Sequence, residues 1–198
     1  MQEQNNYTVM TCHHIFHSLL ILFAFSMLTS CDQIETVKRK QAVKHNYNKV
    51  VDFDWNRLQL LPDTVIENGV LNHLPVEIVS QIDRTLCGEC LSRYLHFAEK
   101  YVSSYKSDSI CFIAIISNDR QKEVRTMISD IDPIKVKVLY DVDGRYLKDN
   151  NLWTIDGVWN VFLLNGEQRI VLMGDPLTQE KMQPLYKKEI TKLLKRSI

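Results

Sequence analysis

Two cysteines separated by two residues, Cys87-Gly88-Glu89-Cys90, are the part of this sequence best suited to do chemistry. Such a pair can be a redox-active dithiol, half of a zinc site or a structural disulfide. A redox pair needs a position that stabilises a thiolate, whereas a zinc site needs two further ligands. The rest of the chain decides which of these needs is met.

The other cysteines and histidines argue against zinc. Cys111 lies in an apolar run, where a free cysteine behaves as a small hydrophobe. His73 and His96 have no ligand-like spacing, so we expect no metal. A structural disulfide stays open as an alternative, although a bridge that closes so small a ring restricts the unfolded chain very little.

The elements around the pair follow a definite order. Residues 76–82 alternate as a strand, and the cysteine pair comes within five residues of its end. A helix is then predicted from Leu91, Leu95, Ala98 and Val102, which recur at helical spacing. Residues 110–116 form a continuous apolar run that is typical of a central strand buried on both faces.

The remaining elements complete an α/β protein. They are an N-terminal strand or hairpin in 50–61, a helix over 119–131 capped by Asn118 or Asp119, a strand at 135–140, a turn and short helix in 141–153, two strands at 158–164 and 169–173 joined by a hairpin turn, and a last helix over 178–194 capped by Thr178. This order predicts a mixed sheet with parallel strands first and antiparallel strands last.

The predicted position of the pair favours redox chemistry. Cys87 would lie at a helix N-terminus, where unpaired N–H groups and the helix dipole stabilise a thiolate. Cys90 lies one turn further on and would be within reach to resolve a mixed disulfide. A Cys-x-x-Cys that follows a core strand and opens a helix is the placement of a thioredoxin-like motif.

At this point the chain resembles the membrane-tethered thioredoxin-fold oxidoreductases of the TlpA/ResA kind, over about residues 50–194. Besides the Cys pair, the resemblance rests on "FIAIISND" (112–119), "LYDVDGRYLKDNNLWTIDGV" (139–158) and "GVWNVFLLNGEQRIV" (157–171). It implies a thioredoxin-like fold, with a central mixed β-sheet flanked by helices and an N-terminal extension. The segment 119–140 matches an extra helix and strand that this family inserts.

Two residues depart from the family pattern. Leu86 stands where the family commonly has an aromatic residue before the first cysteine, and Trp159 stands where it has a proline held cis beside the dithiol. A non-proline cis bond costs about 2.5–4 kcal/mol, so we expect Val158–Trp159 to be trans. The resemblance implies a substrate groove at this loop, and Trp159 is either an aromatic lid over the pair or an ordinary core or edge residue.

The residues near the cysteines bear on the direction of electron flow. Glu89 places a carboxylate beside the thiols, and a nearby negative charge disfavours the thiolate. Because strong oxidants owe their potential to a stabilised thiolate, Glu89 favours a reductase or isomerase over an oxidase. Arg84 opposes this effect, and Asp83 is a candidate proton acceptor or a solvated turn residue.

The N-terminus carries a targeting pattern. Residues 19–28 form an apolar run too short to span a bilayer but suited to a secretory signal. Leu28-Thr29-Ser30-Cys31 follows, and it resembles the bacterial lipobox, in which the chain is cut before a lipid-bearing cysteine. We therefore expect 1–30 to be a signal peptide and Cys31 to be lipidated. No Lys or Arg precedes the run, so Met10 is an alternative start.

Removal of 1–30 would leave 24 basic and 23 acidic residues, a formal charge of +1. That balance gives no reason to expect a nucleic-acid partner. Residues 31–48 are polar and are interpreted as a linker between the anchor and one domain over 49–198. The anchor implies a bacterial envelope protein tethered to a membrane, and its expected partners are envelope proteins with thiols or disulfides.

These observations predict a thiol–disulfide oxidoreductase in which Cys87 attacks and Cys90 resolves. No cofactor is implied, because the dithiol itself carries two electrons. The alternative is a non-catalytic thioredoxin-like binding lipoprotein, in which the pair is a structural or sensing disulfide.

Overall fold

The computed structural model of the chain describes residues 34–54, 57–61, 74–82, 87–117, 121–154 and 160–196. Six strands in these ranges form one sheet. They are β1 (Leu58–Leu61), β2 (Val76–Ile82), β3 (Ile110–Ile116), β4 (Val136–Asp141), β5 (Asn160–Asn165) and β6 (Ile170–Met173), and their order across the sheet is β1-β4-β3-β2-β5-β6.

The sheet has a parallel centre and antiparallel neighbours on both sides. Strands β2, β3 and β4 are parallel to each other, with Val79 beside Ile113 and Ile113 beside Lys137. Strand β5 runs antiparallel to β2, β6 antiparallel to β5, and β1 antiparallel to β4. The carboxyl ends of β2, β3 and β4 therefore meet at one edge, which is where such sheets place their sites.

Five helices and one short 3-10 turn lie in the described ranges. The helices are α1 (34–46), α2 (Gly88–Ser103), α3 (Gln121–Met127), α4 (Tyr146–Asp149) and α5 (Gln183–Arg196), and the 3-10 turn spans Glu180–Met182. The chain divides into two compact units, residues 1–41 and 42–198. In the first unit, the described part of α1 carries an ion pair between Glu35 and Arg39.

Both faces of the sheet are buried, which explains the apolar runs in its central strands. One face, here called the α2 face, packs side chains of α2, α3 and α5 against Ile78, Phe112 and Leu163. The other, here called the α4 face, packs α4 and residues 51–53 against Val79, Ile113 and Phe162. All seven residues of β3 are buried, as its sequence predicts.

The predicted fold class is confirmed. The strands at 76–82 and 110–116 have the predicted bounds, and all four helix-patterned residues of α2 are buried. The helix and strand predicted within 119–140 appear as α3 and β4, and the antiparallel hairpin as β5 and β6. A parallel strand–helix–strand, a terminal hairpin and a Cys pair that opens the first core helix make this a thioredoxin-like α/β fold.

Two expectations need correction. The polar segment 31–48 contains α1, and the second unit begins at Ala42, before the start predicted at residue 49. Ala42 and Asn46 are buried, and the Asn46 amide binds the backbone N–H and C=O of Trp153 at 3.0 and 2.7 Å. Thr178 does not cap the last helix, because its hydroxyl donates to Asp175 and α5 begins at Gln183.

Candidate functional site

Cys87 occupies the N-cap position of α2, at the carboxyl end of β2. Its backbone is extended, with φ −67° and ψ 150°, and its Sγ accepts the Cys90 backbone N–H at 3.2 Å. That N–H is one of the donors that a helix start leaves without an intrahelical partner. Negative charge on Cys87 Sγ would therefore be stabilised by this N–H and by the helix dipole.

Cys87 and Cys90 form a disulfide, with 5.2 Å between their Cα atoms. This separation lies within the usual range for a bridge. Both residues are exposed. The pair is therefore accessible from solvent, and a disulfide of this kind is able to exchange two electrons with an external thiol.

Glu89 lies between the two cysteines and points toward solvent. Its Oε1 accepts from Arg93 Nη2 at 2.7 Å, one turn along α2, and the two side chains are 83% and 64% exposed. An exposed pair of this kind interacts weakly and is screened by salt. Arg93 therefore offsets part of the negative charge that the sequence analysis assigned to Glu89, and the effect of Glu89 on the thiols stays a prediction.

Two polar groups at the same sheet edge were not found from the sequence. On the α4 face, Gln81 donates to Ser117 at 3.4 Å, and the Ser117 hydroxyl donates to Asp141 at 3.1 Å. Asp141 also accepts the backbone N–H groups of Arg145 and Tyr146 and so fixes the start of α4. These bonds join the ends of the three parallel strands.

The second group lies on the α2 face. Tyr94, one turn after Cys90, has its hydroxyl 3.2 Å from Ser80 Oγ and donates to Asp175 at 3.4 Å. Burial raises the pKa of the Asp175 carboxyl, although the Leu177 N–H and the Thr178 hydroxyl oppose this shift. The spacing of four between Cys90 and Tyr94 was the available signal, but nothing local pairs either residue with Asp175.

A cavity of about 170 Å³ lies beside this edge of the sheet. Its lining consists of Asp52, Asp54, Arg57, Leu58, Asp141, Arg145, Tyr146, Asp149 and Asn150. Arg57 bridges Asp54 and Asp149 at 3.4 and 2.6 Å, and Arg145 also contacts Asp149. Four carboxylates and two guanidinium groups line the cavity, and its ion pairs join both arginines to Asp54 and Asp149. These lining residues, all within the described ranges, hold no thiol that would add to the cysteine pair.

The remaining candidate residues lie apart from the pair. Cys111 is a fully buried thiol in β3, and burial raises its pKa to about 12. On the surface of α2, His96 lies 3.6 Å from Glu99 and 3.5 Å from Asp130, which follows α3. The part of the chain that the structure describes holds no group of three or more His, Cys, Asp or Glu side chains placed to bind a metal ion.

Several sequence predictions lie outside the described residues. These are the lipidation of Cys31 with the apolar run before it, the residues Asp83, Arg84 and Leu86, and the Val158–Trp159 loop. Within the described ranges, no helix combines the length and the apolar composition that a membrane span requires.

No protein-family model matches the chain, and no curated protein matches it in sequence. Solved structures are similar to it at low identity. A thioredoxin-like protein from Porphyromonas gingivalis is 22% identical, with a TM-score of 0.44, 62% of this chain covered and 78% of that one. The thioredoxin domain of a thiol-disulfide oxidoreductase from Bacteroides vulgatus is 17% identical, with a TM-score of 0.39 and coverages of 54% and 75%.

The pneumococcal exposed lipoprotein thioredoxin Etrx1 from Streptococcus pneumoniae is 13% identical, with a TM-score of 0.43, 60% of this chain covered and 87% of that one. All three identities are below 25%, and all three TM-scores are below 0.5. The thioredoxin-like fold of this chain therefore rests on its own strand order and on the place of Cys87 at the start of α2.

Proposed function

We propose that the protein is a thiol–disulfide oxidoreductase that acts on other proteins through Cys87 and Cys90. The observation that carries this proposal is the exposed Cys87–Cys90 disulfide at the N-terminus of α2, where Cys87 Sγ accepts a backbone N–H. A bridge that closes so short a ring stabilises the fold little by restricting the unfolded chain. Exposure and thiolate stabilisation instead suit repeated reduction and re-formation.

In the direction of reduction, the Cys87 thiolate attacks one sulfur of a partner disulfide. A Cys87–partner bond forms, the partner's S–S bond breaks, and the released thiolate takes up a proton. Cys90 then loses its proton and attacks Cys87 Sγ, which releases the second partner thiol and closes the Cys87–Cys90 disulfide. The partner gains two electrons and the pair loses two, so no cofactor takes part.

The proposal includes a reductase or isomerase role in the bacterial envelope. Glu89 supports that direction because its carboxylate disfavours a thiolate, although its Arg93 partner reduces the effect. The "LTSC" sequence at 28–31 supports a lipid anchor on Cys31 and membrane tethering. We also propose, from the resemblance alone, that Val158 and Trp159 border the partner groove.

A trapping experiment tests the redox proposal. In cells that produce the full chain, Cys90→Ala should leave Cys87 able to attack but unable to resolve, so mixed disulfides with partner proteins should accumulate. Cys87→Ala is the matched control and should trap none. If Cys90→Ala traps nothing and both variants keep full physiological function, the pair is a structural or sensing disulfide on a binding protein.

A further inference from the structure

The methyl group of Met127 in α3 lies directly against Gly88, the first residue between the two cysteines. A Cβ built on Gly88 would stand 2.3 Å from Met127 Cε and 3.3 Å from Met127 Sδ. Gly88 does not have the positive φ that favours glycine, so its backbone alone would accept alanine. A side chain at residue 88 would therefore require the end of the flexible Met127 side chain to move aside.

The backbone of α3 holds Met127 at this place. Val124, about one turn earlier in α3, and Ile128, directly after the helix ends, are 2% and 3% exposed and pack in the core of the α2 face. Beyond the helix, Glu99 Oε1 accepts the Asp132 N–H at 3.0 Å, which ties the segment after α3 to α2. Met127 itself is half-buried, so part of this residue is accessible to solvent beside Gly88.

We propose that Met127 determines specificity, and that it favours protein or peptide disulfides whose reacting cysteine is flanked by an apolar residue. This inference rests on the proposed redox function of the pair. A partner whose sulfur bonds to Cys87 brings its adjacent residues within a few ångströms, since neighbouring Cα atoms are about 3.8 Å apart. Methionine is flexible and polarizable, so it adapts to apolar side chains of different shape.

The energetic basis of this preference is burial. An apolar residue beside the partner's cysteine would lose water-exposed area against the Met127 thioether, which is favourable. A polar residue at the same position would lose hydrogen bonds to water without replacing them on a thioether. The preference should therefore appear as a ratio of rates between apolar-flanked and polar-flanked substrates.

The test compares two disulfide-linked peptides of equal length and charge, one with Leu and one with Ser on both sides of each cysteine. For each variant of the full chain, the rate of reduction is divided by that variant's own rate with hydroxyethyl disulfide, which has no flanking residues. The wild type should prefer the Leu peptide by about tenfold. Met127→Ala should lower this preference to about twofold, and Met127→Leu should retain it.

Gly88 supplies an independent variant. Gly88→Ala should displace the Met127 side chain and reduce the preference, while the thermal unfolding midpoint shows whether the fold is retained. Ile134→Ala is the matched control, because Ile134 is 65% exposed but precedes β4 at the opposite edge of the sheet. Its preference should equal that of the wild type.

Two results would overturn the inference. One is a wild type that reduces both peptides equally, and the other is a Met127→Ala variant that keeps the full preference. In either case the pair would still be redox-active, so the proposed function would stand. If the wild type reduces neither peptide nor hydroxyethyl disulfide, the proposed function fails, and the specificity role of Met127 fails with it.

Discussion

At the scale of single residues, solvent exposure distinguishes the three cysteines of the unit 42–198. Cys87 and Cys90 are exposed at the start of α2, whereas Cys111 is fully buried in β3. Only a thiolate attacks well, and burial disfavours the charged form of a thiol. These three cysteines are thus divided into an exposed pair, which is the proposed reactive site, and a buried core residue.

This division can be measured by alkylation. After reduction of the folded protein at pH 8, iodoacetamide should label Cys87 and Cys90, while Cys111 stays unlabelled because burial raises its pKa to about 12. Addition of denaturant should expose Cys111 and allow its labelling. Peptide mapping by mass spectrometry assigns each site, and rapid labelling of Cys111 without denaturant would contradict the burial seen in β3.

Glu89 and Arg93 allow a prediction about the reduction potential of the pair. Glu89→Gln removes a negative charge, favours the Cys87 thiolate and should raise the potential, by about 10 mV for an exposed group. Arg93→Gln removes the balancing positive charge and should lower the potential by a similar amount. Equilibration with a glutathione buffer measures both. Shifts of the same sign would show that these side chains do not act through charge.

At the scale of elements, α2 both carries the cysteines and contributes much of the core of its face. Leu95 and Ala98 are fully buried on one side of the helix, while Phe97 is 55% exposed on the other. The helix therefore fixes the position of Cys87 by packing several turns below it. A substitution that disrupts this packing should therefore lower the free energy of unfolding more than it changes the chemistry of the thiols.

Two substitutions, one on the buried side of α2 and one on its exposed side, test the role of this packing. Leu95→Ala should lower the free energy of unfolding by about 2–5 kcal/mol, because it leaves a cavity in a well-packed core. Phe97→Ala, on the exposed side of the same helix, should change it by no more than about 0.5 kcal/mol. Urea denaturation with an unchanged slope is the measurement. Equal losses for the two variants would mean that α2 packs differently from what the structure shows.

At the scale of the whole molecule, the α2 face joins distant parts of the chain through a buried carboxyl. Asp175, which follows β6, accepts from Tyr94 in α2 and from Thr178. Burial raises its pKa above the ordinary 3.8, so the folded state binds its proton more tightly than the unfolded state. The tighter proton binding of the Asp175 carboxyl stabilises the folded state. This stabilisation is fully present below about pH 3.8 and is lost as the pH rises through the folded-state pKa.

The pH dependence of unfolding tests this assignment. Relative to Asp175→Asn, which cannot titrate, the wild type should lose free energy of unfolding as the pH rises above about 4. Chemical denaturation of both proteins between pH 3 and pH 8 gives the difference curve. A curve that rises with pH would mean that the folded state favours the charged carboxylate, contrary to the effect of burial.

The predicted membrane attachment also concerns the molecule as a whole. We predict that the mature chain begins at lipid-modified Cys31, and intact-mass spectrometry of native protein from a bacterial host should show both the cleavage and the added lipid. Cys31→Ser should remain uncleaved and unlipidated. Recovery of wild-type protein with an unmodified Cys31, or with residues 1–30 still attached, would contradict this prediction.

The sequence by itself determined the features that depend on short-range pattern. Alternation and continuous apolar runs located β2 and β3, and helical spacing located α2, because backbone periodicity places every second or every third to fourth residue on one face. The position of Cys87 at a helix start followed from the same local order. Helix α1 was missed because its polar composition has no apolar stripe.

Only the tertiary structure decided which distant residues meet. Met127 covers Gly88 because α3 packs beside α2, and Tyr94 meets Asp175 because β6 ends next to that helix face. No local periodicity encodes these contacts, since each joins segments that are far apart in sequence and are brought together by burial of the α2 face of the sheet. The cysteine pair could therefore be found from the sequence, but its surroundings could not.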